Sequence, residues 1–212
     1  MKVDTMVRRG LAAVALALLA AAPALAQERG TVLGGVAFGT SPSGVTEKMA
    51  DLGLAPAALT DGKTAFPLDQ TFAGTIDGRH VLVVAMYDAH EALEKMLVSF
   101  ITSDTDCLQF YRDFKDALSR EFGDTHADVE QWKAPYDGGR HLGREEAAIR
   151  SGRGFVGATW NRDDVDGTAG MSLSVAGNLT VTLAYESSKW AQELDRRRKV
   201  LSTTAGPGGA RQ

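Results

Sequence analysis

A single cysteine, Cys107, in 212 residues excludes a disulfide scaffold and any cysteine-rich zinc or iron–sulfur site. Positive charge is also short: 23 Lys plus Arg face 27 Asp plus Glu, a formal net charge of −4 at pH 7. That balance supplies no broad basic face for a phosphate backbone, so no nucleic-acid partner is expected. After the first 26 residues there is no apolar run of the ~20 residues needed to cross a bilayer as a helix. The chain has four histidines, His80, His90, His126 and His141, with no H-E-x-x-H and no pair at i, i+4. What remains is an ordinary globular composition, 44% hydrophobic and 24% charged.

The beginning of the chain is its most legible part. Lys2, Arg8 and Arg9 precede the apolar stretch Leu11 to Ala22, followed by Pro23 and the small-residue site Ala24-Leu25-Ala26. This is the pattern of a secretory signal, residues 1–26, with the mature chain starting at Gln27. About a dozen apolar residues are too few for a membrane anchor. The residues around Arg8-Arg9 favour the general secretory route over a twin-arginine one. The expected product is periplasmic or secreted, with no membrane anchor after cleavage. Without Lys2, Arg8, Arg9 and Asp4, it carries 20 basic and 26 acidic residues, a net charge of −6.

Along the mature chain, Thr31 to Phe38 is a short apolar run, a weak strand or a lead-in. Ser41-Pro42 opens a helix, Ser as cap and Pro at the first turn, with Val45, Met49 and Leu52 on one stripe and Gly53 as its stop. Phe72–Ile76 and Arg79–Tyr87 read as strands joined by Asp77-Gly78, the dipeptide suited to a type I′ turn. Leu93–Thr102 is a third strand. Ser103 to Asp106 resembles a capping box for a helix whose stripe is Cys107, Leu108, Tyr111, Phe114, Leu118 and Phe122. Residues 124–143 read as a long irregular loop, followed by a short helix over 144–150. Strands Phe155–Trp160, Met171–Ala176 and Leu179–Glu186 follow, the last two joined by the hairpin dipeptide Gly177-Asn178. A helix over 188–201 closes the order, ending in Arg196-Arg197-Arg198-Lys199, cations suited to a solvated helix C-terminus. Residues 203–212 read as a disordered tail.

The fold class is therefore α+β: two helix-plus-three-stranded antiparallel halves, about 31–103 and 104–201, sharing the core of one domain over 27–202, with a C-terminal helix. Phe38-Gly39-Thr40-Ser41, Val45 and Gly53 in the following helix, the export signal and this element order resemble a known group. It comprises the tandem helix-plus-antiparallel-sheet periplasmic modules of the β-lactamase-inhibitor-protein and SmpA/OmlA type. The lipid-anchor cysteine of the lipoproteins is missing. The resemblance implies a protein-binding role through an open sheet face and loops, with no catalytic residues carried over.

Candidate chemistry is sparse. Gly152-Arg153-Gly154-Phe155-Val156-Gly157 matches G-x-G-x-x-G, but a helix precedes it and a strand follows, the reverse of a dinucleotide site. Arg162 to Gly167 hints at a calcium loop, yet Arg162 and Leu173 fill positions that need carboxylates. Cys107 sits on an apolar stripe with no base near it in sequence, the position of a small core residue. No cofactor and no metal are expected, and no catalytic residue is assigned. The leading expectation is a non-catalytic periplasmic interaction protein whose partner is another envelope protein. Its expected surface is the polar sheet face bearing Ser172, Ser174, Thr180 and Thr182 together with Trp132 and Tyr136 of the 124–143 loop. The alternative is a hydrolytic or metal-assisted enzyme sited in that loop, with His126 and His141 as ligands beside Asp124, Asp128 and Glu130. Clustering of the two histidines would favour the enzyme, and an open sheet face would favour binding.

Overall fold

The computed structural model describes residues 32–58, 66–102, 106–164 and 167–204. The expected export signal, residues 103–105 of the expected capping box and the tail beyond 204 lie outside the described residues; Asp106, the last of that box, stands at the helix N-cap without a side-chain capping bond. Eight strands form one antiparallel sheet in the order β1-β2-β3-β4-β8-β7-β6-β5. They are β1 (Ala55–Pro56), β2 (Gln70–Ile76), β3 (Arg79–Tyr87), β4 (Leu93–Ile101), β5 (Ala127–Trp132), β6 (Gly154–Asp164), β7 (Gly167–Val175) and β8 (Thr180–Glu186). The helices are α1 (Pro42–Asp51), α2 (Cys107–Phe122), α3 (Glu145–Arg150) and α4 (Trp190–Thr204).

The α+β class and the closing helix are as expected. The sheet is larger than expected, because two strands were not foreseen. One is the two-residue β1. The other is β5, which occupies the first half of the stretch read as irregular. The apolar lead-in is a 3-10 turn at Leu33–Gly35 rather than a strand.

The register explains where the core lies. Phe72, Val83, Val98, Leu183, Leu173 and Ala158 are successive cross-strand partners from β2 to β6. All six are buried, and from β3 to β6 so are the rows on either side that share their parity. Period-two alternation thus sends one apolar row after another to a single face. Helices α1, α2 and α3 cover that face. On α1, Ser41 Oγ caps the Gly44 N–H, and Val45 and Met49 are buried. From α2, Phe110 and Phe114 meet Phe100 of β4 edge-on, with both ring pairs 5.4 Å apart. Contacts of this geometry add about 0.5–1.5 kcal/mol each beyond burial.

Of the two hairpin turns, one is as expected. Asp77 (φ 49°) and Gly78 (φ 77°) both take the left-handed region of a type I′ turn. The β7–β8 turn differs. Neither Gly177 nor Asn178 is left-handed there; Leu179 is, at φ 60°. The Leu179 N–H donates to the Ala176 carbonyl, and the Ala176 N–H donates to that of Thr180. This is a three-residue loop with a left-handed third position, and a leucine tolerates it because its side chain is only 1% exposed in the core.

Helix α4 runs to Thr204, three residues beyond the expected end at Leu201. Its basic run is not simply a solvated end. Arg197 is 6% exposed, and its guanidinium forks onto Asp69 at 2.6 and 2.7 Å while also donating to Glu193 and to the Tyr87 carbonyl. These bonds tie α4 across the end of the sheet, where Trp190 lies 4.8 Å from the Lys95 ammonium. Among the described residues, no helix is long and apolar enough to cross a membrane.

Candidate functional site

The sheet face turned away from α1, α2 and α3 has a distinct composition, set by the residues of opposite parity. Two rows cross it in register. One reads Ala127, Thr159, Ser172, Ala184, Leu97, Val84, Thr71, and the other Val129, Gly157, Ser174, Thr182, Ser99, Leu82, Ala73. Leu82, Val84 and Leu97 are half-buried, as are Ser172, Ser174, Thr180 and Thr182. The face therefore grades from aliphatic over β3 and β4 to hydroxyl-bearing over β8 and β7. At the β6–β5 end it becomes apolar again, through Phe155 and Val129, each 44% exposed.

The four predicted hydroxyl residues thus lie together on this outer face. Thr182 Oγ1 is 3.1 Å from Ser99 Oγ. The hydroxyls of Ser172, Ser174 and Thr180 have no side-chain hydrogen-bond partner among the described residues. They keep their full donor and acceptor capacity for a partner or water. Gly157 leaves room for the Phe155 ring, which lies across it; a Cβ there would sit 2.8 Å from the ring and displace it.

Trp132 and Tyr136 do not join them. Trp132 pairs with Gly154, and β6 residues of that parity, Val156 and Ala158, point to the helix-covered face. The indole packs over Gly154, so closely that a Cβ there would be 2.5 Å away, and it stacks on His141 with ring centroids 4.5 Å apart. Tyr136 faces the Arg144 guanidinium at 5.1 Å, and its carbonyl meets His141 Nδ1 at 3.2 Å. These contacts pin the segment after β5 to the body of the molecule. The single surface expected from six residues is in fact four on one face, with Trp132 on the other side of the sheet and Tyr136 in the segment beyond β5.

The geometry bears equally on the candidate metal ligands. His126 precedes β5 and His141 stacks on Trp132 at its far end, so the six residues of extended strand between them span roughly 20 Å. Asp128 is engaged by Lys115 of α2 at 2.7 Å. Among the described residues, no group of three or more His, Cys, Asp or Glu side chains is placed to hold a metal ion.

Cys107 is fully buried at the start of α2. Burial pushes its thiol up from the ordinary value; a hydrogen bond with the Thr102 side chain works the other way, and the charges of Glu146 and Asp106 add to the rise. Gly154 of the G-x-G-x-x-G segment opens β6 directly after α3, so no helix N-terminus follows these glycines to receive a phosphate.

Sequence reasoning missed β5 and the burial of Arg197. The signal for β5 was present but weak: Ala127, Val129 and Gln131 alternate with Asp128 and Glu130. Comparison with family models, with curated proteins and with solved structures gives no match to this chain.

Proposed function

We propose that this chain is an exported, non-catalytic interaction protein of the periplasm that engages another envelope protein through the outer face of its sheet. The observation that carries the reading is the makeup of that face. Half-buried Leu82, Val84 and Leu97 adjoin Ser172, Ser174 and Thr180, whose hydroxyls have no hydrogen-bond partner among the described residues. Apolar area supplies non-directional attraction, and hydroxyls at a fixed strand spacing supply registration. The backbone beneath is paired on both sides, so the surface is preorganised and costs little ordering on binding. Export rests on the Ala24-Leu25-Ala26 site, and the likeness to inhibitor-type modules supports a protein as the partner.

Ser174 and Thr182 are cross-strand partners near the middle of this face. Replacing both, Ser174→Arg with Thr182→Arg, places two bulky charges there without touching the core. Affinity capture from envelope extract should yield a protein retained by the parent and lost by the double variant at an unchanged melting temperature. Equal capture by both, or no specific capture by the parent, overturns the reading. Intact-mass measurement of the exported product tests the start at Gln27.

A further inference from the structure

The two edges of the sheet are not equivalent. At one end β1 is two residues long and contains Pro56, which has no N–H to offer. At the other, β5 is six residues long, contains no proline or lysine, and among the described residues pairs with β6 alone. Its middle residues, Asp128 to Gln131, are exposed.

The register fixes which backbone groups face outward. The Lys133 N–H donates to the Arg153 carbonyl at 2.7 Å, one step beyond the Trp132–Gly154 pair. In an antiparallel ladder that direction alternates, so the odd-numbered residues of β5 turn their N–H and C=O toward β6. Asp128, Glu130 and Trp132 turn theirs away from the sheet.

We propose that this edge is a docking site for an extended segment of another protein that adds to β5 as a ninth strand and alternates basic with apolar residues. The charge arrangement selects that chemistry. The Asp128 and Glu130 side chains share the helix-side face; Asp128 is already paired with Lys115, whereas Glu130 makes no hydrogen bond or ion pair among the described residues. A Lys or Arg beside Glu130 completes a cross-strand pair. On the opposite face, the incoming residues meet exposed Val129 and the Phe155 ring, which want an apolar side chain. A second copy of this chain fits poorly. The two two-fold antiparallel registers that overlap most of β5, centred on Val129 and on Glu130, set Glu130 against the other copy's Asp128 or Glu130, and like charges directly opposite repel. Main-chain bonds supply affinity and the alternating side chains supply selectivity. This edge borders the outer face at Val129 and Phe155 and lies two strands from Ser172 and Ser174, the nearest hydroxyl residues on which the proposed function rests.

The test uses the whole mature chain and a capped synthetic peptide of three Lys-Val repeats, with a capped peptide of three Glu-Val repeats as its counterpart. Calorimetry at low salt should show saturable binding of the Lys-Val peptide, at least about tenfold tighter than the Glu-Val peptide. Amide shifts on titration should be confined to β5, β6 and the residues flanking them. Glu130→Lys should reverse the preference between the peptides, and Glu130→Gln should narrow it, both at an unchanged melting temperature because the side chain is exposed. The Ser174→Arg, Thr182→Arg double variant should bind the Lys-Val peptide like the parent, which separates this proposal from the preceding one. Equal binding of the two peptides, no saturable binding by the parent, shifts centred on Ser174 and Thr182, or self-association through β5 in sedimentation would each overturn it.

Discussion

Arg197 stands in a run of four basic residues and differs from its neighbours only in where the helix turns it. Facing the sheet end, it meets Asp69 from 128 positions away in the chain and Glu193 one turn back. That pairing is invisible to local pattern, because a charge run reads as solvated and the partner carboxylate is remote. Removing one member of such a set leaves the other charges buried without compensation. Arg197→Ala should therefore cost about 3–5 kcal/mol, measured by thermal or denaturant unfolding, whereas Arg198→Ala should cost close to nothing. Glu193 adds a pH dependence. Burial pushes its carboxyl up, but hydrogen bonds and charge from Arg196 and Arg197 outweigh this and hold it below the ordinary value. A carboxylate held in this way contributes stability above its unfolded value of about 4.3, and the contribution is lost as pH falls through the lower folded value. Below about pH 4.3 the parent should therefore lose stability more steeply than Glu193→Gln; parallel profiles would show the carboxylate uncoupled from folding. Cys107 was legible at this scale, since its place between apolar stripe residues foretold its burial. A thiol reagent should label the native protein only at the rate of its opening, and rapid labelling or a disulfide dimer would show the thiol exposed.

At the scale of elements, the strands with one buried face were readable and the edge strands were not. VLVVAM of β3 and the alternation of β7 and β8 follow from the apolar rows that cross the sheet. β5 has no comparable row, because an edge strand exposed on both sides needs little hydrophobic patterning, and β1 is shorter than any periodicity. The turns divide in the same manner. Asp77-Gly78 carries its own geometry, so Gly78→Val, which forces a β-branched residue to φ 77°, should destabilise by about 1–3 kcal/mol. Equal melting temperatures for variant and parent would remove that account. The β7–β8 turn takes its shape from the core's hold on Leu179, a tertiary cause that the Gly177-Asn178 dipeptide does not encode. The candidate surface was half legible for a related reason. Alternation alone placed Ser172, Ser174, Thr180 and Thr182 on an outer face, but placing Trp132 required knowing that β5 exists and in which register it pairs.

On the scale of the whole molecule, the sheet is continuous only because β4 pairs with β8. Lys95 and Glu186, 91 positions apart, form a 2.6 Å ion pair across this seam, and Ser99 meets Thr182 over 83 positions. Bringing such distant strands together costs about 4 kcal/mol of chain entropy before any contact repays it. The β2–β3, β3–β4, β6–β7 and β7–β8 pairings, by contrast, close across short connections. A chain ending at Ala176 lacks β8 and with it the partner of both β4 and β7. It should show no cooperative unfolding transition and no dispersed amide spectrum, although seven of the eight strands are present in its sequence. A folded truncated chain would mean that the meanders are stable by themselves. The strand at the middle of the sheet is thus the last to be made. Until residues 180–186 emerge from the ribosome, two long strands each keep an open edge and the core cannot close. Folding must then wait until the last of these eight strands has been made, and every chain still short of it presents two unpaired strand edges to its surroundings.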